Sequence, residues 1–252
     1  MPEKIVSRSN PLVKHLRALA VSGDYRRSQG QFLCDSPKLL EEALHAGAAV
    51  STVVCTDPGL LPPLAEGIEI VPVSDSVMEA ASPAKTPQGV LCVCALPDTA
   101  PPSRLDGKRY VVLDGVQDPG NVGTVLRTAD AFGADGLILL PGCADPFSPK
   151  TVRASMGAVF RCPVWQCGAD ELKSLLDRSG IALCGAALRA DTVDARTVCY
   201  DRAAIAIGSE GRGLSPKVLE LCDVTVRIPM EPQCESLNAA IAAAVLLWEA
   251  YR

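Results

Sequence analysis

The sequence predicts an α/β protein in two parts: a small α/β layer domain over residues 1–95 and a doubly wound α/β domain with a parallel sheet over residues 108–252. Three observations lead there. Short strand-like runs alternate with helix-like segments along the whole chain. The runs after residue 107 are apolar without clean alternation, which suits a parallel sheet covered on both faces. Between the two parts, residues 96–107 read LPDTAPPSRLDG, with three prolines and no periodicity, a linker signal. A composition of 48% hydrophobic and 21% charged residues over 252 positions supports a real core and excludes a disordered or low-complexity chain.

The first helix is expected in SNPLVKHLRALAVSG, with Ser9 or Asn10 as cap, Pro11 in the first turn and Leu12, Leu16 and Leu19 on one face. QFLC follows as a strand, then SPKLLEEALHAG as a helix opened by Ser36 and closed by Gly47. VSTVVC and IEIVPV read as strands, SDSVMEAA as a short helix, and GVLCVCAL as a buried strand. After the linker the strands are KRYVVLD, DGLILL, CPVWQC, IALCGA, AAIAIG and VTVRIP. The helices between them are VGTVLRTADAF, SPKTVRASMGA, DELKSLLDRSG and the last seventeen residues.

The net charge of −5 argues against nonspecific nucleic-acid binding, but its distribution is uneven. Residues 1–30 carry Lys4, Arg8, Lys14, Arg17, Arg26 and Arg27 against Glu3 and Asp24, a net +4, so the remainder carries −9. That basic arm suits phosphates, and it suits a solvated helix face equally well. No stretch is apolar enough to span a bilayer; Ala239 to Leu247 falls short of the roughly 20 residues required. The start, MPEKIVSRSNP, lacks a signal-peptide run, so a cytoplasmic protein is expected. Eleven cysteines without C-x-x-C spacing, and only His15 and His45 as imidazoles, point to thiols used as small hydrophobes and to no metal site.

Three segments carry chemistry. In DGVQDPGNVGTVLRTAD, from Asp114, Asn121 is placed to cap a helix whose stripe is Val122, Val125, Leu126, Ala129 and Phe132. Arg127 lies beside that stripe with Gly123 one turn earlier, a guanidinium near a helix N-terminus that suits phosphate. Taken alone, Arg127 reads as readily as a surface arginine. Gly115 and Gly120 have P-loop spacing, but the lysine and hydroxyl positions hold Asn121 and Val122, and no G-x-G-x-x-G follows a strand, so ATP and dinucleotide readings are weak. In GSEGRGLSP, Gly208, Gly211 and Gly213 surround Glu210, and exposed main chain there suits a planar heterocycle. Glu210 either caps the helix in LSPKVLE or fixes the orientation of Asn121 or Arg127. In IPMEPQCESLNAA, Ile228, Pro229 and Met230 follow a strand and Ser236 reads as the cap of an alanine-rich, all-round apolar helix whose first turn holds Asn238. Small residues there suit tight helix contact, a subunit interface included.

Together these segments resemble the SpoU, or TrmH-like, family of RNA ribose 2′-O-methyltransferases of the SPOUT superfamily. The first motif is Asn121, Gly123, Arg127 and Ala129. The second is Gly208, Glu210, Gly211 and Gly213, and the third is Ile228, Pro229, Met230, Ser236, Leu237 and Asn238. The resemblance implies S-adenosyl-L-methionine as cofactor, bound in a C-terminal trefoil knot, and a homodimer whose active site uses both subunits. It implies Gly208, Gly211, Ile228, Met230 and Leu237 as cofactor-binding, and Asn121, Arg127, Glu210, Ser236 and Asn238 as the reaction centre. Residues 1–95 resemble the ribosomal-protein-like RNA-binding module that precedes the catalytic domain in ribosomal RNA members of this family. That likeness rests on SRSNPLVKHLRAL, QFLCDSPKLLEEAL and the strand after TPQGV, and it adds Arg8, Lys14 and Arg17 to Arg127 as substrate-binding residues. Asp35, Ser36, Pro232 and Cys234 depart from the family pattern. Ribosomal RNA is the expected substrate; transfer RNA, or a noncatalytic RNA-binding role of the same fold, are the alternatives. A guanidinium titrates at about 12.5–13.8 and is uncharged at pH 7 in roughly one molecule per million, so arginine chemistry here is phosphate binding and alkoxide stabilisation rather than proton removal.

Overall fold

The structure, a computed structural model, describes residues 4–231, 233–234 and 236–252. Helix α1 (Pro11–Val21) opens on Asn10, whose side chain accepts from the Leu12 N–H at 2.9 Å, and buries Val13, Leu16 and Leu19. Leu12 sits at the edge of that face, only half-buried. Helix α2 (Gly23–Gln29) was not foreseen, because GDYRRSQ has no apolar period; Ser22 caps it and Gly30, at φ 62°, ends it. Its Arg26 is buried and donates to the Leu19 carbonyl at 2.6 Å, which removes that side chain from the basic arm.

Strand β1 (Gln31–Cys34) leads to α3 (Pro37–His45), capped by Ser36, with Gly47 at φ 69° just beyond its end. Then come β2 (Val50–Cys55), β3 (Glu69–Pro72), α4 (Asp75–Ala81) and β4 (Val90–Ala95). The sheet order is β1-β4-β2-β3, with β4 antiparallel to both neighbours and β2 parallel to β3. Leu16, Leu19, Leu33, Val54, Met78 and Leu91 form the core between this sheet and α1 and α4.

The remaining elements are β5 (Arg109–Asp114), α5 (Pro119–Ala131), β6 (Gly136–Leu139), α6 (Pro149–Ser155), β7 (Val164–Gln166), α7 (Ala169–Ser179), β8 (Ala182–Ala186), β9 (Val193–Asp194), β10 (Ala203–Gly208), α8 (Pro216–Leu221), β11 (Val224–Arg227) and α9 (Ala239–Tyr251). Seven strands run β7-β6-β5-β10-β8-β11-β9, and every pairing is parallel, as the unbroken apolar runs required. The two-residue β9 is too short to leave a sequence pattern. Because all strands point one way, the loops after β5, β8, β10 and β11 emerge on one edge of the sheet.

Internal contacts divide the chain into one unit of residues 1–97 with 147–160 and another of residues 98–146 with 161–252. The sequence assigned SPKTVRASMGA to the second domain because second-domain strands flank it. Its contacts place it in the first unit: the Phe32 ring lies 5.2 Å from Phe147 and 6.0 Å from Phe160, and the buried carboxylate of Asp35 pairs with Arg153. Two departures from the family pattern are thereby used locally, Asp35 in that ion pair and Ser36 as the α3 cap. Among the described residues no helix is long and apolar enough to cross a membrane.

Candidate active site

The site lies at the carboxyl edge of the second unit's sheet. Asp114 and Gly208 are register partners at the ends of β5 and β10. Asp114 accepts the Ser215 N–H at 2.7 Å, fixing the end of the glycine loop to the strand beside it. Within that loop Ser209 and Gly213 exchange two backbone hydrogen bonds, of 3.1 and 2.8 Å. Gly213 stands at φ 66°, and a Cβ on Gly208 would lie 1.9 Å from its carbonyl carbon. The turn therefore closes on bare backbone at Gly208, which is why these two positions are glycine.

A cavity of about 380 Å³ opens between this loop, the chain after β8 and the segment from Arg227 to Ala242. Gly208, Gly211, Ile228, Met230 and Leu237 all line it, so the residues expected to bind cofactor converge. Glu210 and Ser236 line it as well. Ala186 to Arg189, Arg212, Arg227 and Leu219 also line it, outside the residues the motifs single out. The available signal was positional: residues following IALCGA stand at the carboxyl end of a central parallel strand, where ligands of open α/β sheets bind. A largely apolar lining with exposed loop backbone suits a flat ring system, and Arg189, Arg212 and Arg227 add cationic groups to the wall.

Beside the cavity three side chains join the three motif segments. The Asn121 amide donates to the Glu210 carboxyl, and the Asn238 amide donates to the Asn121 carbonyl oxygen at 3.2 Å. The Asn238 carbonyl oxygen in turn accepts the Ala240 and Ile241 N–H groups at 2.9 and 3.3 Å, making Asn238 the N-cap of α9. Each asparagine thus donates and accepts along one line from the α9 terminus to the glycine loop.

Two expected caps are corrected here. Asp118, not Asn121, caps α5, accepting the Asn121 N–H at 3.0 Å; Pro119 fills the first helical position, so the helix starts earlier than the apolar stripe suggests. Asn238, not Ser236, caps α9, and Ser236 lies on the cavity wall. Glu210 does not cap α8 either. Ser215 does, and of the two readings open for Glu210 the contact with Asn121 is the one found.

Arg127 is brought elsewhere. It is exposed, it does not line the cavity, and it stands six residues beyond Asn121, about 9 Å along the axis of α5 and on a different face. Gly123 is buried in the same helix, and Phe132, expected in the buried stripe, is half-exposed and packs its ring against Trp248 and Tyr251 at 5.7 and 5.8 Å. Pro232, one of the family departures, lies outside the described residues; Cys234 is exposed, its N–H bonded to the Glu231 carbonyl at 2.9 Å. In the first unit Arg8, Lys14 and Arg17 are all exposed, and Arg8 stands 3.5 Å from Glu79.

Comparison with known proteins gives consistent matches for both parts of the chain. Residues 108–248 match the model of the SpoU rRNA Methylase family, and residues 10–92 match the MRM3-like substrate binding domain. The 23S rRNA (guanosine(2553)-2′-O)-methyltransferase RlmP of Bacillus subtilis is 32% identical over 98% of both chains. An uncharacterized tRNA/rRNA methyltransferase of Synechocystis is 38% identical over 98% of this chain and 93% of its own length. Among solved structures, an AdoMet-bound rRNA methyltransferase from Sinorhizobium meliloti superimposes with a TM-score of 0.88 at 33% identity, covering 98% of this chain and 97% of that one. The SpoU methyltransferase AviRb from Streptomyces viridochromogenes, in complex with AdoMet, gives 0.84 at 28% identity over 96% and 97%.

Proposed function

The chain belongs to the SpoU rRNA methylase family, and from that premise we propose that it methylates a ribose 2′-oxygen of structured RNA, ribosomal RNA in the first place, with S-adenosyl-L-methionine as methyl donor. One observation carries the reading: five residues expected to hold the cofactor line a single cavity. The residues fit such a cofactor, since the cavity is walled by glycine-loop backbone and by Ile228, Met230 and Leu237.

The cofactor supplies an electrophilic methyl on a sulfonium, and its reaction with a ribose oxygen neutralises opposite charges, so a water-poor site favours it. Asn121, Glu210 and Asn238 hold the glycine loop and the start of α9 in fixed relation, and so keep the cavity in one shape. Ser236 lies on its wall. Arg127 binds the phosphate next to the target ribose and stabilises the alkoxide as it develops, with that phosphate or a water taking the proton.

A homodimer belongs to the same proposal. Helix α9 buries Ala239, Ala240, Ala243, Leu246 and Leu247 in its own unit yet leaves Ile241, Val245, Trp248 and Tyr251 exposed, an apolar stripe at helical spacing. A two-fold partner covering that stripe accounts for an exposed Arg127 that does not reach its own cavity: it serves the other protomer's. The trefoil knot and the cytoplasmic setting are likewise part of the proposal, supported by the family and by its ribosomal RNA-modifying relatives. In the first unit Lys14 and Arg17, neighbours on the exposed face of α1, are the basic pair suited to an RNA backbone.

The test is to map 2′-O-methylated riboses in total RNA from cells with and without the protein, and to restore the missing position with purified protein and cofactor. A lost site in ribosomal RNA supports the reading, and a lost site in transfer RNA moves the substrate. No lost site, together with cofactor binding but no transfer in vitro, leaves the noncatalytic alternative.

A further inference from the structure

The first unit holds a side-chain cluster that has no part in methyl transfer. Cys34 on β1 lies directly opposite Cys92 on β4, and Cys94, two residues further along β4, shares the same face. The three Sγ atoms lie within 4.8 Å of one another, with Cys34 and Cys94 at 3.9 Å. All three are buried and none is in a disulfide. We propose that Cys34, Cys92 and Cys94 form a trithiolate site for one soft, closed-shell cation of the zinc(II), cadmium(II) or copper(I) class.

The Cys34–Cys94 spacing of 3.9 Å is what such an ion requires, and the other sulfur pairs, within 4.8 Å, need only a small side-chain adjustment. With metal–sulfur bonds of about 2.3 Å, two thiolates on one ion stand about 3.8 Å apart in tetrahedral geometry and about 4.0 Å apart in trigonal geometry. The donor set is all sulfur; among the described residues no imidazole or carboxylate joins it, which selects soft ions and rejects magnesium and calcium. Each thiol that binds releases its proton to solvent as the metal–sulfur bond forms. Three thiolates leave one net negative charge on a divalent ion and two on a monovalent one, so an apolar core favours the divalent ion. Sequence spacing could not show the site, because Cys34 and Cys94 are 60 residues apart and only the β1–β4 register brings them together.

The experiment uses the reduced, metal-free full chain with the exposed Cys199 and Cys234 changed to serine. It is titrated with cadmium-113(II) and, in a separate arm, with copper(I) presented by a chromophoric chelator. One equivalent should bind, with a thiolate-to-metal absorption band, a cadmium resonance in the sulfur-rich range and a rise in Tm. Cys92→Ser and Cys94→Val should each weaken binding by at least about 100-fold, more than loss of a partner outside the ligand shell costs. Absence of a sulfur-bound equivalent in the protein with its cysteine trio intact, or undiminished affinity in Cys92→Ser, overturns the proposal and leaves the thiols as core packing. The cadmium resonance is read on the intact trio, so a variant that fails to fold does not cloud the result.

Discussion

Arg127 and Gly208 mark the two kinds of residue in the proposed site, one assigned for its charge and the other for having no side chain. Arg127→Ala removes a guanidinium that touches neither the cavity nor the core. It should lower methyl transfer by at least about 100-fold, the cost of losing one stabilising donor at a developing oxyanion. Cofactor affinity measured by calorimetry should stay as it was; full transfer activity in this variant would remove Arg127 from the mechanism. Gly208→Ala has the opposite signature. Its Cβ would meet the Gly213 backbone at 1.9 Å, and backbone cannot swing aside, so the loop must open. Cofactor affinity should fall tenfold or more, about 1.4 kcal/mol, and unchanged affinity would show that the loop does not shape the cavity. The motif pattern already singled out both residues. What it could not supply was their separation, since the reach of one side chain from a helix depends on what that helix packs against.

At the scale of elements, one residue at the start of α9 both caps the helix and belongs to the proposed reaction centre. Asn238 caps the helix with its carbonyl oxygen and grips Asn121 with its amide. Asn238→Ala should cost about 1 kcal/mol of stability as a lost cap and also lower transfer. Asn238→Asp keeps an acceptor for the cap but loses the donor to Asn121, so Tm should hold while transfer falls. Equal Tm losses in the two variants would contradict that division of labour. The sequence placed α9 and α5 correctly but misassigned both caps, because Ser236 and Asn121 are themselves good capping residues. The choice between Ser236 and Asn238, or between Asn121 and Asp118, was made by where the preceding loop enters and not by local preference.

For the whole molecule, two outcomes follow from surfaces and unit boundaries. Trp248→Glu together with Val245→Glu puts charge on the exposed stripe of α9 and should give a monomer by sedimentation, with transfer lost while cofactor binding remains. A variant that stays dimeric would place the interface elsewhere. Deleting residues 1–95 alone should yield a poorly soluble protein, because Phe147 and Phe160 would lose Phe32. Deleting 1–95 and replacing 147–160 with a short linker should give a soluble unit that binds cofactor and has weakened RNA affinity. Normal RNA affinity in that protein would rule out the first unit as the substrate-binding part. The sequence by itself determined the alternation of strands and helices, the parallel second sheet and the five motif residues that line one cavity, because periodicity, glycine loops and motif order are local properties written along the chain. The linker expected over residues 96–107 is instead largely packed into the second unit, with Leu105 buried in its core. Only the tertiary structure decided which unit holds α6, that Arg26 is buried, which asparagine caps α9, and that three cysteines from β1 and β4 meet. Each of these depends on contacts between segments far apart in sequence, where packing and hydrogen-bond geometry, rather than local preference, set the lowest free energy.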